Sequence, residues 1–168
     1  MQCSLNRKER DQKEMFQKEQ IKEFLRELNL DPNEYCLIAG GSLVMHGIKQ
    51  ETEDIDLCVS EKGFQYLHEH FQVQKSTKNY PNLYEVTENL EVVLDTNWNQ
   101  KICWIEKIPC NSILEEYQWK KEKNREKDQE ILMKLEKFLK QVSQYYQCLP
   151  EELTEQKIQE YQNIRRKE

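Results

Sequence analysis

Asp54 and Asp56 stand two apart in the run Asp54-Ile55-Asp56-Leu57-Cys58-Val59, eleven residues after the turn sequence Gly40-Gly41-Ser42. On an extended strand, residues i and i+2 share a face. Both carboxylates therefore project together, ~6.6 Å apart along the strand, while Ile55 and Leu57 turn to the core. Carboxylates held side by side repel, and one of them resists ionising. A divalent cation reverses that preference, and Mg2+ takes oxygen ligands of this kind. Asp95, which closes the run Val92-Val93-Leu94, is the expected third carboxylate, because neighbouring strands lie only ~4.8 Å apart. Three carboxylates around two metal ions ~3.5–4 Å apart form a clamp suited to in-line phosphoryl displacement.

The glycines complement the acids. At a strand-to-helix turn, Gly40 and Gly41 let the backbone approach a ligand closely. The N–H groups of the following helix favour an anion, and Ser42 adds a hydroxyl donor. This half of the expected site suits phosphate.

The elements that must position these residues follow from apolar spacing. Ile21, Phe24, Leu25 and Leu28 fall at i, i+3, i+4 and i+7, predicting a helix over residues 7–28 that ends before Pro32. Tyr35 to Ala39 reads as a buried strand, and Leu43, Val44 and Met45 open a short helix that stops near Gly47. Asp54 to Val59 is a second strand. Ser60 is placed to cap a helix from Glu61 to Phe71. Strands are expected from Val73, from Leu83 and over Leu90 to Asp95, with Glu88-Asn89 as a hairpin turn. Ile102 to Ile105 adds a short edge strand. After Pro109 the chain reads as helical. Ser112 and Glu115 make a capping-box pattern. Ile131, Leu132, Leu135, Phe138, Leu139, Val142 and Tyr146 give one apolar face to a helix over about 126–147. A last helix follows Pro150 and runs to about Ile164. The expected organisation is an N-terminal helix (1–30), an α/β core (31–109) and a C-terminal helical region (110–168).

Composition narrows the classes. The chain has 168 residues, of which 33% are charged and 37% hydrophobic, and a net charge of -6, which argues against a general basic field holding a long polyanion and leaves a small anion at a local site as the expectation. The mean hydropathy is -0.98. No apolar run approaches the ~20 residues of a membrane span. The charged stretch from Met1 to Lys13 does not read as a secretory signal. The six cysteines lie far apart with no C-x-x-C pair, which fits neither a zinc site nor a disulfide scaffold. A reducing cytosol is the expected setting. His68-Glu69-His70 reads as surface, since i and i+2 do not share a helix face. Trp98, Trp104 and Trp119 read as core or rim packing.

The stretch from Leu37 to Leu57 resembles the signature of the DNA polymerase beta-like nucleotidyltransferase superfamily: a Gly-Gly or Gly-Ser turn, about a dozen residues, then an Asp-x-Asp strand. It is closest to small bacterial and phage members, including abortive-infection-type toxins. His46-Gly47 matches the His-Gly that often follows the glycine helix there, and Thr52, Asp54 and Asp56 match Thr-x-Asp-x-Asp. Lys120, five residues before Arg125-Glu126-Lys127-Asp128, matches a second block, so the resemblance covers roughly residues 34–140. Relatives usually place a basic residue two before the Thr; here Gln50 stands there, with Lys49 beside it.

The resemblance implies a nucleotidyltransferase fold: a small mixed β-sheet, flanking helices and a C-terminal helical bundle forming the other wall of the cleft. It implies that Gly40, Gly41 and Ser42 hold a triphosphate, with Lys49 and Thr52 in the nucleotide-binding set. Asp54 and Asp56 would bind two Mg2+ ions. Asp95 would bind the catalytic metal and help deprotonate an acceptor hydroxyl. Lys120 and Arg125 would approach the phosphates. The implied activity moves a nucleoside monophosphate from an NTP to an RNA end, a protein hydroxyl or a small molecule. The rival expectation is a non-catalytic interaction protein on the same fold, such as a toxin–antitoxin partner or a phage factor.

Overall fold

The computed structural model describes residues 14–167. Helix α1 (Lys18–Leu28) starts after Gln17, whose N–H donates to the Gln20 side chain, and ends at Asn29 in left-handed backbone. Its buried face is Ile21, Leu25 and Leu28, as the spacing predicts. It begins later than expected because Phe16 is extended and pairs with Thr52, exchanging two backbone hydrogen bonds of 2.7 and 3.0 Å. Residues 7–13 of the expected helix lie outside the described residues, as does Cys3.

Strand β1 (Tyr35–Ile38) leads directly into α2 (Ala39–Met45). Strand β2 (Ile55–Val59) follows, and then α3 (Glu61–His70), capped by Ser60 Oγ accepting from Gly63 N. Strands β3 (Gln74–Lys75), β4 (Leu83–Thr87) and β5 (Leu90–Leu94) come next, then β6 (Ile102–Ile105) and β7 (Ile108–Asn111). Helices α4 (Ile113–Lys123), α5 (Gln129–Tyr146) and α6 (Glu155–Lys167) complete the chain. Ser112 caps α4 as expected, but the Glu115 carboxylate pairs with Lys101 at 3.0 Å.

The seven strands form one mixed sheet in the order β3-β4-β5-β2-β1-β7-β6, and with the helices this makes an α+β protein. Strand β1 pairs antiparallel with β2 and parallel with β7, while β2 pairs parallel with β5. Strand β7 was not foreseen, because Pro109 reads as a break in sequence. The expected boundary after residue 109 falls inside it, and β7 lies next to the central strand β1.

Two apolar clusters hold the molecule together. One packs α1, the sheet and Leu67 of α3; the other joins Ile113 of α4 to Leu135, Leu139 and Val142 of α5 and Ile158 and Tyr161 of α6. Helix α2 belongs to both: Val44 and Met45 enter the first cluster and Leu43 the second. Cys36, Cys58, Cys103 and Cys110 are buried free thiols, and burial raises the pKa of each. His68 and His70 are exposed and pack against Phe64 and Tyr66. Among the described residues no helix is long and apolar enough to cross a membrane.

Candidate functional site

The register of the β2–β5 pair decides which acids meet. Asp56 lies directly opposite Glu91, and Val59 opposite Leu94. Paired residues in a sheet project from the same face. Glu91 is therefore the carboxylate beside Asp56, and Asp54 lies in the bend before β2, near enough for its charge to act on Asp56. Asp95 lies four residues beyond Glu91 along β5, ~13 Å further down the sheet. Its N–H donates to Val59 O at the opposite end of β2. Its carboxylate accepts from Asn97 N at 2.9 Å and Gln100 Nε2 at 2.7 Å, closing its own turn. Burial, with a smaller push from the Asp95 charge, raises the Cys58 thiol to about 12. The structure thus sets Glu91 rather than Asp95 beside Asp56, and the expected trio Asp54, Asp56 and Asp95 is not brought together.

Crowding of these acids has an electrostatic consequence. Burial, reinforced by the charges of Glu91 and Asp54, pushes the Asp56 carboxyl up to about 6. Lys78, from the segment between β3 and β4, opposes this with an ammonium 2.6 Å from Glu91 Oε1. The lysine is itself raised, chiefly by its hydrogen bond to Glu91 and further by the Asp56 and Asp54 charges. No local pattern in the sequence singled out Lys78.

The glycines play a packing role that spacing did not reveal. Gly40 and Gly41 lie inside α2 rather than in a turn before it. A Cβ on Gly40 would stand 2.3 Å from Thr52 Oγ1, with Lys49 Nζ 3.5 Å away; on Gly41 it would meet Leu37 Cδ1 at 2.8 Å. The left-handed residue at the strand-to-helix junction is Ala39, with φ 55°. Ser42, expected to face a triphosphate, is fully buried, and its hydroxyl donates to Asn111 O at 3.0 Å. The same carbonyl accepts from His46 Nε2 at 2.8 Å. Thr52 is buried, and its hydroxyl donates to Asp54 O.

Helix α4 closes the site from the other side. Glu116 is 5% exposed, and its Oε2 accepts from Ala39 N at 3.0 Å and from Asn111 Nδ2 at 2.6 Å. Lys120, buried beside it, lies 3.9 Å from Glu116 and 3.8 Å from Asp128. Arg125 Nε holds the other oxygen of Asp128 at 2.6 Å, and its guanidinium stacks 4.7 Å above the Trp119 ring. Lys49 and Lys120 are thus near the glycine helix, whereas Arg125 is committed to Asp128 and Trp119. Glu116, Asn111 and Glu91 are the main site residues that sequence reasoning missed.

Among the described residues no three His, Cys, Asp or Glu side chains are gathered closely enough to cage a metal as they stand. The donor set nevertheless suits a hard cation. Asp56 and Glu91 share one face with the Asp54 charge close by, and a cation there would offset the burial and the neighbouring charges that raise Asp56. A groove of about 470 Å3 lies elsewhere, between α5 and α6 beside Tyr145 and Tyr161. Comparison with protein-family models, with characterised proteins and with solved structures finds no match.

Proposed function

We propose that this protein has a nucleotidyltransferase fold and transfers a nucleoside monophosphate from an NTP to an acceptor hydroxyl. The observation that carries the reading is the parallel β2–β5 register, which sets Glu91 beside Asp56, with the Asp54 charge close by. Asp54, Asp56 and Glu91 would hold Mg2+, which when bound supplies charge neutralisation at the triphosphate. Lys49, at the glycine helix, supplies positive charge on the opposite lip. Glu91 takes the role that the resemblance gives to Asp95: it orients the acceptor hydroxyl and accepts its proton. The acceptor oxygen bonds to the α-phosphorus, the α–β phosphoanhydride bond breaks, and pyrophosphate leaves with the electron pair. Positioning and charge neutralisation supply most of the rate.

Incubation with each α-labelled NTP, Mg2+ and cell lysate tests this. Label is expected in an RNA, protein or small-molecule fraction, which also identifies the acceptor class. Glu91→Gln and Asp56→Asn are each expected to lower transfer by about a hundredfold or more, as loss of a transition-state contact does. Asp95→Asn should retain transfer within about threefold, since Asp95 lies at the other end of β2 from Asp56. Absence of label with every nucleotide sinks the proposal.

A second reading, a non-catalytic interaction protein, is favoured by one feature. Lys78 occupies Glu91, and Glu116 occupies the Ala39 N–H, so two groups of the site already have partners. On that reading Glu91→Gln and Asp56→Asn leave the cellular phenotype intact and no labelled product forms.

A further inference from the structure

We propose that Glu116 is the positioning residue of the site: its buried carboxylate clamps Ala39 in left-handed backbone and thereby sets the glycine helix against Asp54 and Asp56. The clamp rests on geometry alone; its effect on nucleotide binding rests on the transfer reading above.

Ala39 is an L-residue at φ 55°, a conformation its Cβ disfavours. Such a residue persists only where its surroundings hold it. The holding contact is Glu116 Oε2, which accepts from Ala39 N at 3.0 Å across 77 residues of chain. Glu116 is 5% exposed, so its charge needs partners of its own. Asn111 Nδ2 at 2.6 Å and Lys120 Nζ at 3.9 Å supply them. Lys120 is in turn 3.8 Å from Asp128, which Arg125 fixes at 2.6 Å. A continuous polar chain therefore runs from the Ala39 peptide to the outer face of α4.

Ala39 is also the hinge between two halves of the site. Ile38, the residue before it, pairs with Asp56 across β1 and β2. Gly40, the residue after it, packs on Thr52 beside Lys49. Rotation of the Ala39 backbone into an ordinary region would move Gly40 and Lys49 relative to the carboxylates. Asn111 joins the clamp to the core, since its carbonyl accepts from both Ser42 and His46.

Two measurements test the clamp: amide hydrogen exchange at Ala39, and titration of Mg2+ with ATP, GTP, CTP and UTP. In Glu116→Ala, Ala39 N–H should exchange at least about tenfold faster and nucleotide affinity should fall about tenfold, the scale of a charge-assisted hydrogen bond. Glu116→Gln keeps an acceptor oxygen and should stay within about threefold of the wild type on both readouts. Adding Ala39→Gly to Glu116→Ala should recover most of the affinity, because glycine adopts φ near +55° without a Cβ penalty. A general loss of stability would not be repaired in that way. If Glu116→Ala alone does not fold, the proposal requires the Ala39→Gly/Glu116→Ala pair to fold and bind. Unchanged exchange at Ala39 in Glu116→Ala, or no recovery on adding Ala39→Gly, overturns the proposal. A wild-type chain that binds none of the four nucleotides removes the transfer reading, while the exchange measurement still decides the clamp.

Discussion

At the residue scale, the site is defined by how tightly small residues meet their neighbours. Gly40 leaves no room for a Cβ, because Thr52 Oγ1 would lie 2.3 Å away. Gly40→Ala is expected to destabilise by about 1–3 kcal/mol, the usual cost of overpacking. Adding Thr52→Ala should return part of that loss, and urea denaturation of both variants measures it. His46 gives a second prediction. Its ring is buried between Asn111 O and Gln162 Oε1, with Arg166 the nearby charge, and burial lowers its pKa. The folded protein therefore holds His46 neutral, while the unfolded chain takes up a proton near pH ~6.5. Stability is fully present above that pH and falls as the pH drops through it towards the lower folded value. His46→Gln should flatten that part of the stability-against-pH curve measured between pH 7 and 5.

At the element scale, strand register and hairpin geometry matter most. The β6–β7 hairpin turns on Glu106 and Lys107, with φ 49° and 69°, the paired positive values of a type I′ turn. Glu106 earns its position through ion pairs with Lys18 and Lys22, which tie the hairpin to α1. Among the described residues Lys107 makes no ion pair of this kind, and it is exposed, so its backbone conformation is what is at stake. Lys107→Gly is expected to raise stability by roughly 0.5–1 kcal/mol, the left-handed penalty less the entropy of glycine. A higher urea midpoint at unchanged slope would establish it. Register acts similarly on chemistry: a shift of two residues between β2 and β5 would exchange Glu91 for Val93 opposite Asp56.

At the scale of the whole molecule, the sheet and the helical bundle are coupled through α2. Leu43 anchors that helix in the bundle, while Val44 and Met45 anchor it in the core of the sheet. Leu135, fully buried on α5, lies at the heart of the bundle cluster. Leu135→Ala should cost about 2–5 kcal/mol as a buried cavity forms. Because α4 rests on this cluster and carries Glu116 and Lys120, the same variant should also speed exchange at Ala39 N–H. Amide exchange that leaves Ala39 unaffected in Leu135→Ala would show that the two cores are mechanically independent.

Local pattern was enough for much of the fold. Apolar spacing marked α1, α3 and α5, alternation marked β2, and Ser60 and Ser112 announced the helices they cap, because these signals act within a few residues. Asp54 and Asp56 were legible as neighbouring acids, although Asp54 lies in the bend before β2 and not on the strand itself. The acid opposite Asp56 was not legible, because spacing along one strand says nothing of which residue a distant strand sets opposite it. Strand pairing sets Glu91 there and leaves Asp95 at the other end of β2. Tertiary packing likewise drew Gly40 and Gly41 into a helix that their propensity disfavours, turned Ser42 inward, and brought Glu116 to Ala39. Side-chain type fixes what a residue can do; only the folded chain, by closing long loops, decides what it is placed to do it with.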